Sequence, residues 1–313
     1  MRLLKLVADE TRIPFMRFRK AFITLSMVAV LASIAMVLVK GMNFGIDFQG
    51  GILIEVRMPQ AADMGKMRKE LGGLGLGEVS LQEFGQPSDV LIRIGAQEGD
   101  ASAQEAAVNA VKGALGEGVD YRRVEFVGPK VSSELLLDGV LAVGAAMVAM
   151  LIYIWLRFEW QFGLGAVLAL MHDVFLTLGM FSLLGLEFNL STVAAVLTIA
   201  GYSINDTVVV FDRIREDLRR FKSKPVVDLL NESINATLSR TLMTSLTTLV
   251  ALLALFFLGG EVIRDFSFAM IFGIVVGTYS SICVASPLLL YTNVAARARS
   301  AADESTEGTA EAS

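Results

Sequence analysis

Six apolar stretches, each long enough to cross a lipid bilayer, constrain this chain more than any other feature of its sequence. A helix needs about 20 mostly apolar residues to span the hydrocarbon core. The predicted spans are residues 21–39, 134–156, 162–184, 190–211, 239–258 and 266–291. Composition agrees, since 54% of the 313 residues are hydrophobic and the mean hydropathy is +0.60. The chain is therefore predicted to be a polytopic α-helical membrane protein.

The placement of Lys and Arg predicts the orientation of these spans. Cytoplasmic segments carry an excess of basic residues. In a six-span topology, every basic cluster next to a span lies on the same side of the membrane. These residues are Arg2, Lys5, Arg12, Arg17, Arg19, Lys20, Arg157, Arg213, Arg215, Arg219, Arg220, Lys222, Lys224, Arg297 and Arg299. Segments 1–20, 212–238 and 292–313 are thus predicted to be cytoplasmic, with a disordered acidic tail after residue 300.

The first span lies where a signal peptide would, but we interpret it as an uncleaved anchor. Its apolar run is too long for a signal peptide, it starts some 20 residues into the chain, and no A-x-A cleavage pattern follows it.

Residues 40–133 have the character of a soluble domain between the first two spans. Alternating and helical patterns occur in the order strand, helix, strand, strand, helix, strand. The segments are Gly51–Met58, Ala61–Leu71, Glu78–Phe84, Val90–Ile94, Ser102–Leu115 and Tyr121–Val127, with Asp100 or Ser102 capping the second helix. This βαββαβ order predicts a ferredoxin-like α+β domain on the periplasmic side. A slight excess of carboxylates indicates neither a nucleic-acid nor an anionic-lipid partner.

The sequence contains no metal-ligand cluster, phosphate-binding loop or nucleophile elbow. The single Cys283 lies in an apolar stretch, and we interpret it as a small buried side chain rather than a nucleophile. We therefore expect no enzymatic activity, no metal and no cofactor, and any work has to draw on a partner or on the transmembrane gradient.

Ionisable residues inside the spans are the candidates for function, because each costs roughly 2.5–3.5 kcal/mol at mid-helix. Asp206 lies in the fourth span and Arg240 opens the fifth, at similar predicted depth. Polar residues repeat with helical spacing on both spans, which predicts a shared interior seam: Thr198, Gly201, Tyr202 and Asn205 on one, Arg240, Thr244, Thr247 and Thr248 on the other. The pair is either a proton-sensitive switch or a static link, or Arg240 only snorkels to the interface.

A second polar site is predicted in the third span, where His172 and Asp173 are adjacent. With Asn205 they form a possible secondary polar relay. The alternative is ordinary packing, since intramembrane polar contacts average about 0.6 kcal/mol. Gly273 and Gly277 form a small-xxx-small pattern that is typical of close helix packing.

Several long motifs resemble the SecD/SecF family. They are NFGIDFQGG (Asn43–Gly51), VGPKVSSEL (Val127–Leu135), MHDVFLTLG (Met171–Gly179), TIAGYSINDTVVVFDRIRE (Thr198–Glu216) and NESINATLSRTLMTS (Asn231–Ser245). The N-terminal FMRFRKAF (Phe15–Phe22) looks like the half that partners SecD rather than SecD itself. The resemblance covers nearly the whole chain except the last dozen or so residues.

The resemblance implies half of an RND-type transporter in a bacterial inner membrane, driven by the proton gradient to assist late protein export. It implies SecD, the SecYEG channel, YajC, YidC and an unfolded translocating chain as partners. It matches Asp206 and Arg240 to the family's proton-coupling positions. The alternatives are a small-molecule or lipid exporter subunit of RND type and a scaffold with inert charges, and the coupling ion is open between proton and sodium.

The paired glycines Gly50 and Gly51 open the first predicted strand. Glycine at such a position permits a bend or a close backbone approach. We consider them a possible hinge between the first span and the periplasmic domain, with an ordinary tight turn as the alternative.

Overall fold

The computed structural model describes residues 11–97, 101–260 and 263–292. Predicted features at Arg2, Lys5, Asp100, Arg297, Arg299 and the tail from residue 300 lie outside these described residues. The chain divides into two compact units. One contains residues up to Met42, Val143–Leu186 and those from Ser191 onward, and the other contains Asn43–Ala142 with Glu187–Leu190.

The regular elements follow one another as long helices interrupted by one α+β insertion. In chain order they are a 3-10 turn (Phe15–Phe18), α1 (Arg19–Lys40), β1 (Asn43–Phe44), α2 (Ile46–Gln49), β2 (Gly51–Arg57), α3 (Met64–Gly72), β3 (Val79–Glu83), β4 (Asp89–Ile94), α4 (Ala101–Leu115), β5 (Asp120–Val127), α5 (Pro129–Arg157), α6 (Trp160–Leu184), β6 (Glu187–Phe188), α7 (Leu190–Arg220), α8 (Val226–Leu258), α9 (Arg264–Ser280), a π-helical turn (Ser281–Ala285), α10 (Ser286–Leu288) and a 3-10 turn (Leu289–Tyr291).

Within the described residues, six helices are long and apolar enough to cross a membrane, which confirms the predicted fold class. They are α1, α5, α6, α7, α8, and α9 with its continuation to Tyr291. Most of segment 212–238, expected as a cytoplasmic loop, is helical, because α7 continues to Arg220 and α8 starts at Val226. Since α8 starts early, Arg240 lies about four turns into its helix rather than in the first turn or two.

Three of the six helices form the inside of the bundle. In their most apolar windows α6, α7 and α9 with its continuation bury 56%, 50% and 61% of their residues, whereas α1, α5 and α8 bury 6%, 0% and 17%. The exposed outer helices remain strongly apolar, as surfaces that face lipid or another membrane chain are. Gly273 and Gly277 make α9 fit closely on α7: a Cβ at Gly273 would enter the Ile199 side chain, and one at Gly277 would lie 3.1 Å from Ser203 Cβ.

The segment before α1 is fixed to α8 by asparagine side chains. Met16 N donates to Asn231 Oδ1 at 2.9 Å, and Ile13 exchanges hydrogen bonds with Asn235, whose Nδ2 donates to the Ile13 carbonyl at 2.9 Å. Met16 itself is fully buried. Asn231 and Asn235, both in the NESINATLSRTLMTS motif, therefore have a structural role in holding this segment.

The inserted domain has the predicted βαββαβ order. Its antiparallel sheet runs β3-β4-β2-β5, the strand order of a ferredoxin-like fold. Strand β2 is central and buried along almost its whole length, because Ile52, Ile54 and Val56 pack under α3 and α4 against Met67 and Val111. A short parallel pair, β1 with β6, was not predicted; it joins Asn43 to Glu187 and Phe44 to Phe188.

One ion pair fixes the far end of the central strands. Arg57 and Asp89 lie opposite each other on β2 and β4, and the Arg57 guanidinium donates two hydrogen bonds of 2.6 and 2.7 Å to the carboxylate. These bonds hold the pKa of Asp89 below its ordinary value of 3.8 despite burial. A depressed pKa means that the contribution to stability is complete above 3.8 and is lost as the pH falls through the depressed value.

Replacing Asp89 by Asn should weaken the domain by about 1–2 kcal/mol, because an amide cannot accept both charge-assisted bonds. The loss stays below that of a deeply buried pair because Arg57 is 37% exposed and therefore screened by solvent. Hydrogen exchange of the β2 and β4 amides in the whole chain should show less protection at pH 7 in Asp89→Asn, while the parent loses protection only below about pH 4. Asp120→Asn, at an exposed carboxylate, is the matched control, and equal protection in Asp89→Asn and parent at pH 7 would contradict the prediction.

Candidate functional site in the helix bundle

The side chain of Asp173, on α6, makes three buried polar contacts with other side chains. Its side chain is completely inaccessible to solvent. Oδ2 accepts hydrogen bonds from Ser203 Oγ on α7 and from Ser280 Oγ on α9, the latter at 2.8 Å. Oδ1 lies 2.9 Å from His172 Nδ1. One carboxylate therefore connects all three inner helices.

His172 extends this cluster toward the outer helix α1. It is 5% exposed, and its ring lies against the Tyr279 ring with centroids 6.1 Å apart. The Tyr279 hydroxyl shares a 2.9 Å hydrogen bond with Ser26 Oγ on α1. Among the described residues, His172 Nε2 is buried without a hydrogen-bond partner. When Nδ1 donates the hydrogen of its contact with Asp173, Nε2 carries a free lone pair inside the bundle.

A second polar contact joins α7 to the end of α9. Thr207 Oγ1 and Ser281 Oγ are 2.9 Å apart, and Ser281 begins the π-helical turn. A π-helical turn widens the backbone and often accompanies functional sites in helices. The sequence analysis missed Ser203, Ser280 and Ser281; the run of serines in the otherwise apolar sixth span was the available signal.

Asp206 lies one turn after Ser203 on α7 and is 4% exposed. Within the described part of the chain, neither Asp206 Oδ2 nor the neighbouring Thr241 Oγ1 has a hydrogen-bond partner in good geometry. Arg240 is near enough for its charge to act on the carboxylate. No ion pair within 4.0 Å joins these two described residues, so the predicted pair is brought into one neighbourhood without direct contact.

The predicted interior seam is wrong, because most of its polar residues lie on the outside of this chain. Of the α7 residues, Thr198, Gly201 and Asn205 are exposed, and so are Arg240, Thr244 and Thr247 on α8. Helical spacing identified two polar stripes correctly, but spacing does not say which side of a helix faces its own chain. We call these six residues the open polar face. Asn205 belongs to it and is therefore not joined to His172 and Asp173.

Gly50 and Gly51 both have backbone conformations that favour glycine, with φ of +74° and +118°. A Cβ at Gly51 would collide with the carbonyl oxygen of Ile94, and one at Gly50 would lie 3.3 Å from that of Val127. The pair thus permits close backbone approach at the start of β2. Whether the segment also bends as a hinge stays a prediction.

Across residues 11–97, 101–260 and 263–292, no group of three His, Cys, Asp or Glu side chains is placed to hold a metal ion. Cys283 is buried in the apolar core of the bundle, where its small side chain packs as expected.

Six membrane helices with a ferredoxin-like insertion after the first define a polytopic membrane protein with one α+β domain outside the bundle. Residues 107–295 match the family profile described as protein export membrane protein SecD/SecF, C-terminal, and residues 35–62 match the SecD/SecF GG motif. The chain belongs to the SecD/SecF family of protein export membrane proteins.

Its relatives identify the SecF side of that family. The chain is 51% identical to protein translocase subunit SecF of Magnetococcus marinus, covering 95% of this chain and 97% of that one. It is 49% identical to the SecF of Rickettsia rickettsii, covering 91% and 94%. The prediction from the N-terminal motif is thereby confirmed, and the family points to protein export rather than to a small-molecule or lipid exporter.

Two solved structures share the fold. SecDF from Thermus thermophilus, a translocon-associated membrane protein, has a TM-score of 0.82 and 37% identity over 91% of this chain. SecDF in a super-membrane-facing form has a TM-score of 0.66 and 38% identity over 94% of this chain. The present chain spans about two fifths of those chains, 39% and 40% of their length.

Removing the carboxylate of Asp173 should destabilise the bundle by about 2 kcal/mol, because three polar contacts are lost at about 0.6 kcal/mol each. Asp173→Ala and the parent would be compared by heat denaturation of the purified protein in detergent. Asn205→Ala, on the open polar face, is the control and should denature like the parent. An unchanged Asp173→Ala would show that the cluster does not hold the inner helices together.

Proposed function

We propose that this chain is the SecF-type subunit of a complex that couples the proton gradient to a late step of protein export across a bacterial inner membrane. The observation that carries the proposal is the buried Asp206 carboxylate, whose Oδ2 has no hydrogen-bond partner among the described residues and which lies near the exposed Arg240. An unsatisfied buried carboxylate is a site that gains by taking up a proton. Because the cationic Arg240 lies nearby, uptake of a proton by Asp206 would change the local electrostatics.

The energies involved are sufficient for a switch. One charge that crosses a potential of 100 mV releases about 2.3 kcal/mol. An equilibrium moved from 1:99 to 99:1 needs about 5.5 kcal/mol. A few protons therefore supply enough energy to repack helices, provided that each proton changes one helix arrangement more than the other. Protonation of Asp206 would remove its electrostatic attraction for the nearby Arg240 side chain.

The open polar face supports a partner in the membrane. An arginine facing hydrocarbon costs roughly 2.5–3.5 kcal/mol, so Arg240 at an exposed position favours a protein or water-filled surface over lipid. SecD is the proposed occupant, because the solved chains that match this one are SecDF proteins. SecYEG, YajC, YidC and the unfolded translocating chain are proposed as further partners, with both termini of this subunit cytoplasmic.

His172 and Asp173 are proposed as a second protonatable pair inside the bundle. The support is the buried, unpartnered Nε2 of His172 together with its contact to the Asp173 carboxylate. Asn205 would serve the open polar face beside Arg240, separately from this pair.

Asp206→Asn should abolish stimulation of export by an imposed proton gradient while leaving assembly with SecD intact, since the amide keeps the shape but cannot take up a proton. The measurement is completion of precursor translocation into vesicles with and without the imposed proton gradient. It is repeated in sodium-free buffer to identify the coupling ion. Asp212→Asn, at an exposed carboxylate on the same helix, is the matched control. A parental gradient response in Asp206→Asn would refute the proposal, and dependence on sodium rather than protons would refute the choice of ion.

His172→Gln should reduce gradient stimulation at least about twofold, because glutamine preserves a hydrogen bond to Asp173 but cannot accept the proton. Tyr279→Phe keeps the ring packed against residue 172 and removes only the hydroxyl, so it controls for packing. If His172→Gln matches the parent in the same vesicle measurement, the pair is structural.

A further inference from the structure

The first segment of the external domain also holds the start of the helix that carries Asp206. Asp47, within the NFGIDFQGG motif, accepts a 2.9 Å hydrogen bond at Oδ2 from the backbone N–H of Leu190, the first residue of α7. The first N–H groups of a helix have no partner inside the helix. A carboxylate at that end satisfies one of them and interacts favourably with the helix dipole. Asp47 therefore caps α7 from a segment more than 140 residues away in sequence.

Backbone pairing fixes the position of this cap. Strand β1 pairs with β6, which directly precedes α7, and Gly45 N donates to the Phe188 carbonyl at 2.9 Å. A Cβ at Gly45 would meet the Glu187 carboxylate and would lie 3.2 Å from Asn189 Cβ. A larger residue at this position would displace the Glu187 carboxylate, so glycine favours the close approach of the motif to the residues before α7.

Side chains then join this assembly to the main sheet of the domain. Arg93, on β4, lies 2.5 Å from Glu187 Oε2, and both side chains are only 14% exposed. The same guanidinium donates to Asn43 Oδ1 at 2.8 Å. The rings of Phe44, Phe48 and Phe188 form a triangle with centroids 5.9–6.1 Å apart. The start of α7 is thus built into the compact unit of the external domain.

From this geometry we propose that Asp47 is a positioning residue that makes the first turn of α7 move with the external domain. Residues Leu190 and Asp206 lie on one uninterrupted helix, about 24 Å apart at 1.5 Å per residue. A displacement of that helix caused by a proton at Asp206 reaches the domain through the Asp47 contact with the helix itself, alongside the β1–β6 pairing that precedes it. The inference rests on the proposed function of Asp206 and adds the route by which the domain responds.

The test compares two substitutions of Asp47 in the assembled complex with SecD in vesicles. Asp47→Asn keeps an oxygen that accepts from the Leu190 N–H, and asparagine caps helices as well as aspartate does. Asp47→Ala removes the acceptor. Two rates are measured for each variant: entry of protons into the vesicles and completion of precursor translocation under the gradient.

We expect Asp47→Ala to lose at least about two thirds of the gradient stimulation of translocation while proton entry stays within about twofold of the parent. Asp47→Asn should retain most of both activities. A residue that only stabilises the fold would lower the abundance of the complex and both rates together, which would overturn the inference. Parental stimulation in Asp47→Ala would overturn it as well.

Two further variants keep the outcomes separate. If Asp47→Ala does not accumulate, Asp47→Ser replaces it, because the shorter serine side chain reaches less far toward Leu190 and should show the same separation of the two rates. Asp206→Asn should lose both proton entry and stimulation. If Asp206→Asn keeps both, the proposed function fails; if only Asp47→Ala behaves like the parent, the inference about Asp47 alone fails.

Discussion

A carboxylate that has to be satisfied inside a membrane organises this bundle. Hydrocarbon offers no hydrogen bonds, so a buried polar group finds its partners within the protein. Asp173 does so through Ser203, Ser280 and His172, and these contacts fix the relative positions of the three most buried helices. Each contact is weak, at about 0.6 kcal/mol. Their value lies in specifying one arrangement of apolar helices that would otherwise slide against each other easily.

The same constraint is left unmet one turn further along α7. Ser203 and Asp206 are both buried and face neighbouring directions, yet Ser203 is bonded whereas Asp206 Oδ2 has no partner in the described part of the chain. Thr207, the next residue, is again bonded, to Ser281 at the π-helical turn. Because the polar side chains on either side already have partners, we expect uptake of a proton at Asp206 to change the local interactions of α7 most. Any shift of α7 there acts directly on the hydroxyl contacts of Asp173.

The sequence predicted the features that follow from local pattern. Span length gave six helices, and alternating hydrophobicity gave the order of the inserted domain, because both are determined within a few residues. The polar stripes were wrongly predicted to lie inside the chain. The spacing of Arg240 and Thr244 shows that they share one face of a helix but not what that face packs against. The contacts of Asp47 with Leu190 and of Asp173 with Ser280 join distant segments. No period or motif length contains that information, although the motif around Asp47 marked the segment as unusual.

Gly201 shows how the open polar face depends on what covers it. It lies inside α7, where glycine costs about 1 kcal/mol relative to alanine. A Cβ there would meet no atom within 4 Å among the described residues, so packing in this chain does not require glycine. Small residues on membrane helices allow another helix to approach closely. A partner helix against Gly201 would lie beside Asn205 and near Asp206 and Arg240, which makes this glycine a marker of where a partner would meet the proposed proton site.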